Sequence, residues 1–230
     1  MARMKGEAMH QVCRAALLAA IAAAASGCML QKAPPVGTTV TAIAPRSDGW
    51  NGVASDADRA RISRAPLAWQ QGLAEANARG FRNDIRSEGK LLTFGAALSR
   101  PAPTPGSYSC RVVTLGRSAK RGPAFERFKP FFCYIDLEGD LFTIVKQTGS
   151  QRPAGRLWND QNPNRMIFLG SLALGNEEEA RAYGDDPRRD VAGIFERIAP
   201  FVWRLVIPFP QDGTKLQVFE LTPVPVQPKG

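Results

Sequence analysis

Histidine is almost missing from this chain, which holds a single one, His10, among 230 residues. His10 lies in an N-terminal segment that we expect to be removed on export, so the mature protein would carry no imidazole. Ser-His and Cys-His nucleophile pairs are thereby excluded. The commonest ligand of zinc is missing as well, and we predict neither a metal site nor a cofactor.

Familiar catalytic motifs are missing too. No G-x-S-x-G, Walker loop or G-x-G-x-x-G stands where a predicted strand would lead into a helix. We therefore assign no catalytic residue from the sequence, and we expect a protein that is not an enzyme.

The N-terminus has the features of an export signal. Arg3, Lys5 and Arg14 form a basic region, and the uncharged apolar run Ala15–Ala25 is too short to span a bilayer as a helix. These features predict a signal peptide over residues 1–27.

The end of this signal resembles the lipobox of bacterial lipoproteins, because small residues precede a cysteine in Ala25-Ser26-Gly27-Cys28. The resemblance implies that Cys28 is lipidated and becomes the new N-terminus. Since Met29 rather than Asp follows, we expect an outer-membrane lipid anchor with the domain in the periplasm. An ordinary signal peptide cut nearby is the alternative.

Cysteine is also scarce, with four residues in the chain. Once Cys13 is removed and Cys28 is lipidated, Cys110 and Cys133 remain. Two cysteines in an oxidising compartment usually pair, which predicts a disulfide bond and leaves no thiolate for chemistry. Two free thiols are the alternative.

Composition divides the mature chain into three parts. Residues 28–54 contain three prolines and little apolar periodicity, which predicts a flexible tether. Residues 55–222 form a single domain of ordinary size, and residues 223–230, again rich in proline, form a flexible tail.

The domain begins with helical periodicity. Ser55 and Asp58 resemble a capping box, and the helix that follows runs to about Ala78 with a kink or break at Pro66. A second helical piece is predicted over Asn83–Leu98, irregular near Gly89, before the proline-rich stretch "SRPAPTPG" stops helix formation.

After Gly106 the pattern changes to short strands separated by turns such as Glu138-Gly139-Asp140. No crossover helix separates the strands, so we expect them to be antiparallel. The fold class is mainly β (α+β): an eight-stranded up-and-down barrel of lipocalin-like architecture with an N-terminal helical segment, or alternatively a β-sandwich. The predicted strands are Tyr108–Leu115, Phe131–Leu137, Leu141–Thr148, Arg156–Trp158, Arg165–Leu174, Val191–Ile198, Trp203–Phe209 and Leu216–Thr222.

Several segments resemble an uncharacterised family of bacterial envelope proteins, the domain of unknown function 4893. They are "SDADRARISRAPLAW", "PGSYSCRVVTLG", "KQTGSQRPAGRLW", "MIFLGSLALG", "YGDDPRRDVAGIFERI" and "WRLVIPFP". The resemblance covers nearly all of residues 55–223. It implies a shared fold and export, but no activity and no catalytic residue.

The stretch "TGSQRPAGRLW" places Gln151 and Arg152 beside a turn at one end of the predicted barrel. Arg152 could lock this corner by binding a buried carboxylate or backbone carbonyls. Alternatively, Gln151 and Arg152 could bind the carboxylate or phosphate of a ligand in the barrel mouth. The sequence favours the structural interpretation and leaves the binding one open.

Two charged clusters are the remaining candidate sites. Asp185, Asp186 and Asp190 could serve a carboxylate-dependent hydrolase, although the interleaved arginines favour a salt-bridged loop. The second cluster is a basic run that would meet anionic headgroups or lipopolysaccharide rather than nucleic acid, or would simply be solvated. It comprises Arg117, Lys120, Arg121, Arg127 and Lys129.

Three functional classes follow. The first is a non-enzymatic envelope lipoprotein that binds a small or amphiphilic ligand in its barrel. The second is a structural or assembly partner of another envelope protein, and the third is a carboxylate-dependent hydrolase. A deep apolar cavity would favour the first class, an exposed apolar patch the second, and two facing carboxyl groups the third.

Overall fold

A computed structural model describes residues 39–40, 49–119 and 122–225. The predicted signal peptide, Cys28, most of the predicted tether, Lys120, Arg121 and residues 226–230 lie outside the described residues. In the part that the structure describes, no helix is long and apolar enough to cross a membrane.

Residues 49–92 form four α-helices and one turn of 3₁₀-helix. The helices are α1 (Gly49–Val53), α2 (Asp56–Ser63), α3 (Ala65–Ala78), α4 (Arg82–Ser87) and the 3₁₀-helix Gly89–Leu92. The Ser55 side chain accepts a hydrogen bond from the Asp58 backbone N–H, as the capping pattern predicts. The break between α2 and α3 falls at Arg64, so that Pro66 sits in the first turn of α3, where its missing N–H costs nothing.

Two boundaries differ from the sequence-based expectation. The piece predicted over Asn83–Leu98 stops being α-helical at Ser87, because Gly89 adopts φ +55°. Helix α1 lies inside the segment predicted as a tether. Its Trp50 is buried and donates an indole N–H to Asp160 over 2.9 Å, so the domain begins N-terminal to Ser55.

The β pattern forms a closed antiparallel barrel of eight strands. The strands in the described residues are β1 (Thr39–Val40), β2 (Gly106–Leu115), β3 (Phe125–Arg127), β4 (Phe131–Glu138), β5 (Leu141–Lys146), β6 (Gln151–Asn159), β7 (Met166–Leu174), β8 (Glu179–Ala180), β9 (Asp190–Ala199), β10 (Val202–Pro208) and β11 (Leu216–Pro223).

Each barrel strand pairs with the next one along the chain, in the order β2-β4-β5-β6-β7-β9-β10-β11. The last strand pairs back onto the first, from Leu216 opposite Leu115 to Pro223 opposite Tyr108. This closure confirms the up-and-down barrel and decides against the sandwich. The short β3 continues the edge of β4 along β2, and β1 and β8 form a separate parallel pair.

Strand β6 is longer than predicted. The sequence suggested only Arg156–Trp158, because Pro153 cannot donate to a ladder and Gly155 weakens a strand. Pairing with β7 nevertheless extends from Asn159 back to Gln151, and β5 pairs with the middle of the strand. Two flanking strands thus override the local propensity.

The alternation of side chains divides most of the buried apolar residues into two large clusters, and a third, small one contains Val145, Ala154, Ala173 and Ala180. Inward side chains such as Ile135, Phe195 and Leu205 fill the barrel, and outward side chains such as Val206 and Val218 lie beneath the helices. Cys110 and Cys133 belong to the inner cluster and form a disulfide bond between β2 and β4, with their Cα atoms 6.0 Å apart. The disulfide predicted from the cysteine count is therefore supported.

Candidate functional site: the open mouth of the barrel

One end of the barrel is closed by the proline-rich segment that precedes β2. The Trp203 indole N–H donates to the Pro101 carbonyl over 2.9 Å, and the Tyr108 hydroxyl donates to the Thr104 carbonyl over 2.6 Å. The Tyr108 and Trp203 rings meet edge to face inside the barrel, with centroids 5.9 Å apart. These contacts hold the proline-rich segment across the end where β2 begins, and we call this segment the plug.

The opposite end, where β2, β5, β7 and β10 finish, contains a cavity of about 430 Å³. This volume lies in the range of small-molecule sites. Seven barrel strands line it through Val112, Thr114, Lys146, Gln151, Pro153, Leu172, Leu174, Asp190, Val191, Ile207, Gln217 and Phe219. Its rim is completed by Arg61, Phe128, Arg188, Pro210, Gln211 and Asp212. We call this cavity the mouth.

The mouth has a filled floor. Beneath it, beside Phe168, lies a void of about 10 Å³, which is large enough for a single water molecule at most. The Phe168 ring fits into the floor because Gly155 and Gly170, which face each other across β6 and β7, have no side chains in its way. A Cβ atom at either glycine would lie 2.8 Å from the Phe168 ring, closer than van der Waals contact allows. A ligand could therefore occupy the mouth but not the lower barrel.

Lys146 is the cation that projects from the barrel wall into the mouth. It ends β5, and the period-2 alternation places it on the inward face with Phe142 and Ile144. Its Nζ lies 4.3 Å from the centroid of the Phe131 ring, a cation–π distance. Burial lowers the pKa of the Lys146 ammonium, and the positive charge of Arg152 lowers it further.

The other two cations at the mouth are neutralised. Arg61 binds the buried carboxylate of Asp58, and the Arg188 Nε lies 3.3 Å from the nearer Asp186 oxygen. Within the described residues, no carboxylate pairs with Lys146 in this way. The mouth therefore holds one half-buried positive charge, that of Lys146, with which no described carboxylate forms an ion pair.

The two carboxylates that line the mouth are already engaged. Asp212 accepts hydrogen bonds from the Thr214 backbone and hydroxyl and from the Gln217 amide. Asp190 accepts from the Gly184 N–H over 3.0 Å. Burial raises the pKa of the Asp190 carboxyl, the Gly184 hydrogen bond opposes this, and the nearby Asp58 carboxylate raises the pKa further.

The predicted pair Gln151 and Arg152 is divided between the two faces of β6. Gln151 lines the mouth, whereas Arg152 points to the outside of the barrel wall and is 8% exposed. The Arg152 guanidinium donates to the carbonyls of Gly149 (2.6 Å), Gly175 (2.7 Å) and Glu177, and so joins the turns that follow β5 and β7. This geometry favours the corner-locking interpretation of Arg152 and leaves Gln151 as the candidate for binding.

Replacing Arg152 with alanine should lower the free energy of unfolding by about 1.5–3 kcal/mol, because buried carbonyls would lose charged donors. Urea unfolding followed by circular dichroism measures the change. Gln151→Ala is the matched control on the neighbouring residue, and its effect should stay within about 0.5 kcal/mol. Overlapping curves for Arg152→Ala and the unsubstituted protein would show that the corner does not depend on this arginine.

The acidic cluster is a salt-bridged loop. Asp186 lies within 4.0 Å of Arg181, Arg188 and Arg189, and both Glu177 carboxylate oxygens accept from Arg189 over 2.7 Å. The hydrogen bond from Arg189 is the main reason that the pKa of Glu177 is lowered. Among the described residues, no group of three or more His, Cys, Asp or Glu side chains could hold a metal ion.

Two arginines of the basic run, Arg117 and Arg127, bind residues of the helical segment. The Arg117 Nε donates to Glu75 on α3 over 2.7 Å. Arg127 binds Glu88 and donates to Asp84 on α4 over 2.9 Å. These two arginines therefore hold the helical segment against the barrel, and their charges are not free for a polyanion.

Lys146 was not among the site residues predicted from the sequence. A usable signal was present in "LFTIVK", where the alternation places a lysine on the same face as two core residues. A lysine on the inward face of a barrel strand is uncommon unless it lies at an open end, since a charge inside the core is costly.

The comparisons with known proteins agree with the resemblance noted in the sequence. The profile of the family described as Domain of unknown function (DUF4893) matches residues 50–221, a range that includes the helices, the plug and the wall of the mouth. No curated protein and no solved structure matched the chain. Since the family profile covers most of its length, the chain belongs to the DUF4893 family.

Proposed function

We propose that this protein is a non-enzymatic lipoprotein of the cell envelope whose barrel binds a small amphiphilic molecule in its mouth. The observation that carries the proposal is the cavity of about 430 Å³ at the open end of a barrel whose other end is plugged. A barrel that served only as a scaffold would gain stability by filling this space with side chains.

The order of residues along the strands supports an amphiphile. On β2, Val112 lies deeper than Thr114, and on β11, Phe219 lies deeper than Gln217. On β6, Pro153 likewise lies deeper than Gln151. Each of these strands therefore places an apolar side chain at the floor and a polar one at the rim. This gradient matches a ligand with an apolar tail and a polar head.

The envelope location rests on the sequence. The basic region, the short apolar run and the small residues before Cys28 support export and lipidation. The disulfide bond between Cys110 and Cys133 also supports an oxidising compartment, because disulfides rarely persist in a reducing cytosol.

An assembly partner is the second candidate function, and the outer face of β4 favours it. Phe132 and Tyr134 point outward there, 59% and 42% exposed, beside the small residues Ser107 and Ser109 of β2. Exposed aromatic pairs of this kind are enriched at protein interfaces. A hydrolase is not proposed, because Asp186 and Glu177 are bound by arginines.

Native mass spectrometry of the protein, extracted in mild detergent from the membranes of its own host, tests this proposal. We expect the chain to begin at Cys28, to carry acyl chains, and to retain a small molecule. Leu172→Trp should fill the mouth and abolish retention, whereas Leu137→Trp, on an exposed residue, should not.

Each component of the proposal has its own contradicting result. A chain without acyl chains would disprove the lipid anchor. A small molecule retained equally by Leu172→Trp would disprove binding in the mouth. A co-purifying protein with an empty barrel would instead favour the assembly function.

A further inference from the structure

We propose that the mouth selects amphiphiles with an anionic head group and that Lys146 binds this head. The inference rests on the proposed ligand-binding function and extends it, because it specifies the charge of the ligand and the residue that recognises it.

The position of Lys146 places its charge where a head group would lie. Its Nζ would lie 3.5 Å from a Cβ atom built on Gly149, in the turn that joins β5 and β6 at the rim. Gln151, the first residue of β6, lines the mouth immediately after this turn. An ammonium and an amide are thus available side by side for the oxygens of a carboxylate, sulfate or phosphate.

The charge balance of the mouth indicates an anion rather than a cation. Arg61 and Arg188 are satisfied by Asp58 and Asp186, and Asp212 by Thr214 and Gln217. In the described part of the chain, the only partner of the Lys146 ammonium is the Phe131 ring, through a cation–π contact. Its lowered pKa shows that the surroundings disfavour its charge in the empty protein. An anionic head would remove that penalty on binding.

The remaining carboxylate does not oppose this arrangement. Asp190 lies on β9, which is separated from β5 by β6 and β7. Its carboxylate accepts a hydrogen bond from Gly184, and burial raises the pKa of the Asp190 carboxyl. Asp190 is therefore remote from Lys146, and burial disfavours its negative charge.

Octanoate and octan-1-ol are suitable probes because they share a tail and differ in head-group charge. Titration calorimetry would use the full chain in nanodiscs of a zwitterionic phospholipid, with empty nanodiscs as the reference. We expect octanoate to bind about tenfold more tightly than octan-1-ol, as one charged hydrogen bond contributes.

Lys146→Met keeps an unbranched apolar side chain of nearly the same length and removes its charge. It should weaken octanoate binding about tenfold and leave octan-1-ol binding unchanged. Lys146→Arg keeps the charge and should restore octanoate binding. Lys129→Met, on an exposed lysine outside the mouth, should change neither affinity. Circular dichroism confirms that each variant is folded.

Failure of the anionic preference can be distinguished from failure of ligand binding. Equal affinities for octanoate and octan-1-ol, or an unchanged octanoate affinity in Lys146→Met, would overturn the anionic preference while the ligand-binding function stands. If the folded protein binds neither probe, both the preference and the proposed binding of amphiphiles are wrong.

Discussion

Replacing Arg204 with alanine should lower the free energy of unfolding by about 3–5 kcal/mol, the usual cost of removing one partner from a buried ionic network. Arg204 is only 1% exposed and donates its Nε–H to the Glu196 carboxylate over 2.7 Å. The guanidinium carbon also lies 4.9 Å from the centroid of the Trp69 ring on α3. The substitution would therefore leave a carboxylate without its cation and open a cavity beneath a helix.

Arg204 also completes the end of the 3₁₀-helix. Its Nη1 donates to the carbonyls of Lys90 (3.1 Å), Leu91 (2.9 Å) and Thr93 (2.9 Å). The last carbonyls of a helix have no partner within the helix, so a buried helix end needs an outside donor. One side chain of β10 thus holds the helical segment on the barrel.

Urea unfolding of Arg204→Ala measures this effect, and Arg197→Ala is the matched control. Arg197 lies on the neighbouring strand β9 and donates to the Ser99 carbonyl, but its bonds are exposed. We expect the control to cost less than about 1 kcal/mol. A loss of similar size in both variants would disprove the special role of Arg204.

Loss of the disulfide bond between Cys110 and Cys133 should cost about 3.5 kcal/mol on the chain-entropy model. The bond closes a loop with a sequence separation of 23 and joins two adjacent strands at buried positions. Without it, the unfolded chain gains conformational freedom while the barrel retains its hydrogen bonds. The double variant Cys110→Ala/Cys133→Ala should therefore fold but unfold at a lower temperature.

Two measurements check the disulfide. Alkylation mass spectrometry without reductant should find neither Cys110 nor Cys133 modified in the exported protein. A reductant should lower the unfolding temperature of the unsubstituted protein and leave the double variant unchanged, which serves as the control. Quantitative alkylation of both thiols, or an unfolding temperature insensitive to reductant, would show that the bond does not stabilise the barrel.

Most of the fold could be predicted from patterns of residues that are close together in the sequence. The alternation in segments such as Trp203–Phe209 predicts a strand whatever its neighbours are, because successive side chains of a strand point to opposite faces. The capping pair Ser55 and Asp58 likewise acts within one turn, and the structure confirms it. Strand β6 was underestimated because Pro153 and Gly155 disfavour isolated strands, and only pairing with β5 and β7 reverses that preference.

Less of the candidate site could be predicted from the sequence. Gln151 was predicted at a barrel end and does line the mouth, because the turn beside it is local. The sequence suggested backbone carbonyls or a buried carboxylate as partners of Arg152, but not which residues would supply them. The Gly175 and Glu177 carbonyls come from a different turn, which only the pairing of β6 with β7 brings near.

The sequence by itself determined the period of each strand, the helix start at Ser55, the cysteine pair and the presence of a single histidine, His10. All of these depend on residue types or on neighbours a few positions away. The tertiary structure alone decided which end of the barrel is plugged, which partners Arg204 finds and that Lys146 has no ion-pair partner among the described carboxylates. Those properties arise when β11 pairs with β2, because closure fixes which face of every strand is inside and brings together residues more than 100 positions apart.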